Sequence, residues 1–396
     1  MARPVFAQDA SASTPATSTG VAKTDAQNPP GEQPRAGTVT ISEDEGIVFT
    51  APGDVASLRL GTVVVIRGEV THTEADGFAG NFQIRNVRLR LGGHVVKPWL
   101  QYKVQFELAN PHLLDAIIKV APSAIFQLTA GQFLQPFGGE FEPNPAEYMM
   151  PESSPVGSFF GLGRDAGAMV EGHTAEDHYG YWLTLVLGNP VALTGDVKIR
   201  DALGVARFQL QPVGKVPEHQ APYSGGDVGR AVAIGVSGYA GRLVRSTTRY
   251  DSFNGDFGTD VIGRFAQGVG SVDLRYVEGR LSMLAEIDGG WRKQIDNAPP
   301  NAQGLWAVTG TAQAGVFVYS HILELATRWS VLDPDLSTGG DLFGAGELEV
   351  AAYPFGSHAA ALLRYGLARQ SRAGDPITTL GQEWIHVGTL QLETFF

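Results

Sequence analysis

In the stretch WLQYKVQFELA, residues 99–109, apolar and polar positions alternate. Leu100, Tyr102, Val104, Phe106 and Leu108 share one parity; Gln101, Lys103, Gln105 and Glu107 share the other. A period of two belongs to a β-strand with one apolar and one polar face. The pattern recurs in sixteen segments, at roughly 58–70, 81–92, 99–109, 113–121, 124–134, 164–173, 178–188, 202–212, 229–240, 268–278, 280–292, 305–318, 321–331, 344–354, 358–369 and 384–396. No 3.6-residue period holds for three turns among them.

The links predict how these strands close. Short links such as APS, VEGR and YSHI alternate with long ones such as 135–163 and DPDLSTGGD (333–341). Two links break the alternation: the one after the third segment is short, and VGKVPEHQAPYSGGD (213–227) is long where a short one is due. Short turns at one end and long loops at the other mark a transmembrane β-barrel. The faces agree. In 280–292, Leu281, Met283, Ala285, Ile287 and Trp291 oppose Ser282, Glu286 and Asp288; in 321–331, Leu323, Leu325 and Trp329 oppose Glu324 and Arg328. Charges gathered on one face are costly in a closed core and harmless in a watery lumen. Aromatics near segment ends (Trp99, Phe133, Trp182, Trp291, Trp306, Tyr319, Trp329, Tyr353, Trp384) suit interfacial girdles. A soluble sandwich has the same period, but sixteen half-charged strands would leave it too thin a core. The closing TLQLETFF also stops mid-strand on an aromatic. The expected fold is therefore all-β: an antiparallel up-and-down barrel of about 16 strands over 58–396, with lipid on the apolar face and water inside.

Composition adds three points. The 29 Lys+Arg against 41 Asp+Glu, net charge -12, argue against a nucleic-acid partner. Glycine, at 50 of 396 residues, is well above the usual ~7% and fits an all-β chain. With no cysteine there is neither disulfide nor thiolate site. Residues 1–57 read as a leader. MARPVFAQDA fits either the tail of a signal peptide or an ordinary start, and the Ser, Thr, Ala and Pro that follow predict disorder.

Three stretches carry a resemblance: FQIRNVRLRLGGHVVKPWLQYKVQFELA (82–109), LTAGQFLQPFGGEFE (128–142) and the closing LQLETFF. In them the sequence resembles the phosphate-selective porin O/P family of Gram-negative outer membranes. The shared features are an Arg-studded second strand, a Trp-led third strand, Gly-x-Phe-x-x-Pro-Phe before the third external loop, and a terminal Phe. The likeness is firm over about 81–175 and diffuse beyond. It implies a sixteen-stranded homotrimeric porin in the outer membrane, with lipid outside and small hydrophilic solutes or inorganic anions such as phosphate passing through.

Candidate pore residues follow from parity. Arg59, Arg67, Arg85, Arg88, Arg90, Lys103 and Lys119 form an expected basic wall, and the change of phase between Arg85 and Arg88 predicts a bulge near Asn86. Such a wall concentrates anions and offers guanidinium forks to oxyanions. The alternative is that these bases pair with Glu69, Glu107 and Asp115 and only stiffen the wall. The link 135–163 carries Glu140, Glu142, Glu147 and Glu152 and no base. Folded inward, it would set acids against the basic wall, a field suited to general diffusion rather than phosphate capture. Folded outward, it would be a surface loop. Asp273, Glu286, Asp288, Glu324, Glu347 and Glu349 add acids to the expected lumen. Leu134 and Gln135 also depart from the family, in which a base is common there.

Catalysis has little support. GVSGYAG around Ser237 fails the nucleophile spacing Gly-x-Ser-x-Gly, and HTAEDH (173–178) reads as a solvated turn. No cofactor, metal or catalytic residue is expected. The competing class is a structural or anchoring barrel without a channel.

Overall fold

The structure is a computed structural model. It describes residues 37–42, 46–74, 76–140, 148–174, 176–188, 201–217, 220, 228–246, 261–296, 303–338, 342–370 and 383–395. Two short strands, β1 (Thr38–Ser42) and β2 (Gly46–Thr50), come first. One half of a closed wall is formed by β3 (Ser57–Thr73), β4 (Gly77–Val95), β5 (Lys97–Glu107), β6 (His112–Ser123), β7 (Phe126–Leu134), β8 (Arg164–His173), β9 (Tyr179–Val186) and β10 (Leu203–Val213). The other half comprises β11 (Val228–Ser246), β12 (Val261–Gly279), β13 (Leu281–Gln294), β14 (Leu305–Tyr319), β15 (Leu323–Asp333), β16 (Phe343–Ala352), β18 (Ala359–Gln370) and β19 (Glu383–Phe395). The four-residue β17 (Pro354–Ser357) lies in the connection between β16 and β18.

Each wall strand pairs antiparallel with the next, and β19 closes on β3 from Ile385↔Thr73 to Phe395↔Val63. The result is a closed barrel of 16 strands with no free edge. Every segment predicted from the alternation coincides with a wall strand. The ends of β11 and β12 extend it: residues 241–246 and 261–267, beyond the predicted segments 229–240 and 268–278, are strand and continue the same wall. The hairpin β1–β2 corrects the last part of the expected leader 1–57. Its second strand pairs with β3 at Ile47↔Leu60 to Thr50↔Ser57, continuing the ladder just past the end of β19. Residues 1–36 lie outside the described residues, as does Phe396.

The faces sort by solvent. On β13, Ser282, Glu286 and Asp288 are buried against the interior, while Met283 and Ile287 are exposed on the outside. On β15, Glu324 and Arg328 point in and Leu325 and Trp329 point out. Trp306, Tyr319, Trp329 and Trp384 are outward, whereas Phe133 and Tyr353, read as girdle residues, turn inward and join buried apolar clusters. The turns β4–β5, β6–β7, β12–β13 and β14–β15 are short and lie at one end, the periplasmic end of such barrels, while β3–β4 and β5–β6 are the short links of the other end. Ile287 sits midway along β13 and is 64% exposed. Ile287→Arg is expected to lower folding stability in lipid by about 2–4 kcal/mol, measured by urea titration in vesicles. A wild-type midpoint would contradict the lipid assignment of that face.

Candidate functional site

The interior is crossed by the connection between β7 and β8, of which residues 135–140 and 148–163 are described. Its neck is closed by the Gln135 amide donating to the Gly163 carbonyl at 3.0 Å. Phe137 then meets Tyr239 of β11 edge to face, at 4.8 Å between ring centres, and the Tyr239 hydroxyl donates to the Phe160 carbonyl at 3.0 Å. Phe133, Val156, Phe159, Leu162 and Leu203 complete this apolar contact inside the barrel. A one-turn helix, α1 (Gly157–Phe160), carries Phe159 under the Arg292 guanidinium, 4.3 Å from the ring centre.

Beyond Phe137 the backbone turns through Gly138 (φ 74°) and presents three successive amides to the far wall. Gly138 N–H donates to Ser237 Oγ at 3.0 Å; those of Gly139 and Glu140 both donate to Glu286 Oε2, at 2.7 and 2.8 Å. The Glu140 carboxylate accepts from the Ser154 amide and from its hydroxyl at 2.8 Å, closing the loop on itself. Glu140 also lies 3.8 Å from Arg328 of β15.

The returning strand of the loop is held by bases. Glu152 Oε1 accepts from Arg67 of β3 and from Nε and Nη2 of Arg85, at 3.0 and 2.7 Å. The Pro151 carbonyl takes a second bond from Arg67 at 3.1 Å, and the Glu152 carbonyl takes one from Arg328 at 2.6 Å. Burial alone would push the Glu152 carboxyl up; Arg67, Arg85 and Arg364 outweigh it and hold it down at about 2. Arg328 and Arg364 are themselves joined through Glu347, at 2.5 and 2.8 Å. The loop is thus fastened to β11 and β13 on one side and to β3, β4 and β15 on the other.

A second segment meets it. Gln220, in the unusually long connection after β10, donates to the Glu140 carbonyl at 2.8 Å and accepts from the Met149 amide at 3.2 Å. Its side chain also accepts from Gln313 at 2.7 Å, and its carbonyl accepts from the Ser282 hydroxyl. On the periplasmic side a recess opens, lined by Glu171, Lys215 and Arg275 together with Tyr179, Trp182 and Val216.

The expected basic wall has the following partners. Arg67 and Arg85 meet at Glu152. Arg88 pairs with Glu107 at 3.1 Å. Lys103 bonds Asp115 at 2.9 Å, an acid shared with Arg164 at 2.7 Å. Lys119 pairs with Glu171 at 2.6 Å. Arg90, opposite Gln105 and Gly61, has no ion-pair partner among the described residues. Arg59 stands on the same parity of β3 as Arg67. The phase change has its cause in the ladder: Val65 faces Asn86 while Ile66 faces Ile84, leaving Arg85 as the extra, bulged residue. Of the loop acids, Glu140 and Glu152 are placed as above; Glu142 and Glu147 lie outside the described residues.

Sequence reading placed Arg328 on the polar face but gave it no role, and missed Arg164, Arg207, Arg364, Glu171, Tyr239 and Gln220. Arg207 grips Asp273 through two bonds, at 2.6 and 2.9 Å. For the bases, inward parity was an available signal. For Gln220 no periodic signal exists. Ser237, weighed as a nucleophile, accepts a loop amide instead.

No family model matches this chain, and no curated protein does. Solved structures do match in fold. In-vitro folded OmpT, an outer membrane protein of Vibrio cholerae, superposes with a TM-score of 0.57 at 12% identity, covering 87% of this chain and 98% of its own. The anion-selective porin from Comamonas acidovorans gives 0.54 at 9%, covering 86% and 100%. The outer membrane channel DcaP of Acinetobacter baumannii gives 0.53 at 10%, covering 86% and 97%. With its apolar outer band and closed wall, the chain has the fold of the Gram-negative outer-membrane porins and its place is that membrane.

Proposed function

We propose that this protein is a porin for passive diffusion of small hydrophilic solutes, narrowed by the loop 135–163. The observation that carries the reading is a closed barrel whose inner face is charged and polar and is crossed by a loop fastened on both sides. A structural barrel has no need of such a wall. The bases of the candidate site support general diffusion, because Arg67, Arg85, Arg88, Lys103 and Lys119 each stand against a carboxylate. A wall whose bases are each met by an acid orients polar solutes without trapping an oxyanion.

A second reading keeps the preference for anions of the phosphate-selective porin O/P family. Arg90 favours it, as the wall base without an ion-pair partner among the described residues. A homotrimer belongs to both readings. It is supported by the trimer form of the Vibrio cholerae OmpT, whose fold this chain shares, and sedimentation of the refolded protein tests it.

The test of function is the zero-current potential in a planar bilayer under a KCl gradient, repeated with phosphate. General diffusion predicts a potential near zero and no block. A potential toward chloride, with phosphate block relieved in Arg90→Ala, would replace it with the anion-selective reading. Folded protein without conductance would leave the structural barrel.

A further inference from the structure

The outer surface carries a feature that diffusion through the lumen does not use. On β13 and β14, Trp291 and Trp306 are register partners on the lipid-facing side, and Trp306 is 60% exposed. Paired outward indoles mark the level of the headgroups in an outer-membrane barrel. Two residues further along β13, away from the periplasmic end, stands Lys293. Its register partner on β12 is Ala266, and the partner of Ala266 on β11 is Arg242. The inward neighbours Leu243, Gln267 and Arg292 are buried, so Arg242 and Lys293 both face outward, and both are exposed.

Two strand spacings separate their Cα atoms, about 10 Å. The methyl group of Ala266 between them leaves the gap open, and each long side chain can lean into it. Neither base has an ion-pair partner among the described residues. The other end of the same strands is different: there the outward Arg230 is neutralised by Glu278 at 2.9 Å. Along a strand two residues are about 7 Å, which sets Arg242 and Lys293 just outside the indoles, where lipid phosphates lie.

We infer that Arg242 and Lys293 form a clamp for a phosphorylated glycolipid of the outer leaflet, with Trp291 and Trp306 against its sugar–acyl boundary. The bases face the membrane and not the lumen, so the ligand is a lipid headgroup phosphate rather than a solute in transit. Guanidinium and ammonium groups together suit a phosphate monoester, the first by a planar fork and the second as a point charge.

The full chain, refolded in detergent micelles, is titrated with bisphosphorylated lipid A and with lipid A stripped of both phosphates, and bound lipid is counted by native mass spectrometry. The doubly substituted R242A/K293A protein is expected to bind the bisphosphorylated form roughly 30-fold more weakly, each charge near an anionic surface contributing roughly fivefold. Arg230→Ala should bind as the wild type does. Wild-type protein should hold the stripped lipid no better than the double variant holds the phosphorylated one. Equal affinity of wild type and double variant would overturn the clamp, as would equal binding of both lipids by the wild type. Displacement of the lipid by equimolar inorganic phosphate would overturn it too, since the pair would then read phosphate alone.

Discussion

Glu152→Ala is expected to free the returning strand of the lumenal loop and to raise single-channel conductance. The substitution removes the acid that both Nε and Nη2 of Arg85 reach, while Arg67 keeps its bonds to Gln391 and the Pro151 carbonyl. Removing one partner of a buried ion pair costs about 3–5 kcal/mol, and the low end applies because the Glu152 side chain is 13% exposed to lumenal water. The loop, rather than the hydrogen-bonded wall, absorbs that cost, so the barrel stays closed while the loop moves. Conductance should roughly double as the crossing segment leaves the lumen, and two guanidinium groups that have lost the Glu152 carboxylate should turn the reversal potential toward chloride. Unchanged conductance in a protein of wild-type heat-modifiability would refute the clamp. The pH dependence has a definite sign. The Glu152 carboxyl is held at about 2 in the folded protein, below its ordinary value of about 4.3. Its stabilisation is present above that ordinary value and is lost as pH falls through the lower one. The Arg67–Glu152–Arg85 clamp should hold from neutrality to near pH 4 and open only in stronger acid.

Gly138→Val should unseat the same loop from the other side without changing any charge. Gly138 has φ 74°, and a Cβ there would overlap the Glu286 carboxylate that receives the next two amides. A β-branched residue in that backbone region carries about 1–3 kcal/mol of strain, and the loss of three amide bonds adds to it. Conductance should rise as in Glu152→Ala, with the reversal potential unmoved. Comparing the two variants separates what the loop does by occupying space from what it does by its carboxylate. If Gly138→Val has wild-type conductance, the seat on Glu286 does not hold the loop.

The wall was legible because lipid and water impose a period of two on every strand, so local pattern and global fold coincide. Even the bulge at Arg85 was legible, since a bulge shifts the phase of a strand that is otherwise regular. The hairpin Thr38–Ser42 and Gly46–Thr50 was not: five residues are too few to establish a period, and the polar leader before them masked it. The site was legible only in part. Parity told which bases face inward, and the pairing of Arg88 with Glu107 and Lys103 with Asp115 was open to reading as neighbours on adjacent strands. The meeting of Arg67 and Arg85 at Glu152, or of Gly139 with Glu286, depends on the path of an irregular loop. Those pairs are 85, 67 and 147 residues apart, and no periodicity relates them.

Gln220 has a consequence for biogenesis. Its partners Glu140, Met149, Ser282 and Gln313 lie 80, 71, 62 and 93 residues away along the chain. Contacts of such separation form after local hairpins, since the chain entropy of closing long loops must be overcome first. Ser282 and Gln313 reach Gln220 only once β13 and β14 have joined the curved sheet, and Glu140 and Met149 come from a loop made much earlier. A nascent barrel therefore passes through a wide-bored stage, and its aperture is set last, when the loop after β7 and the strands β13 and β14 meet at one glutamine.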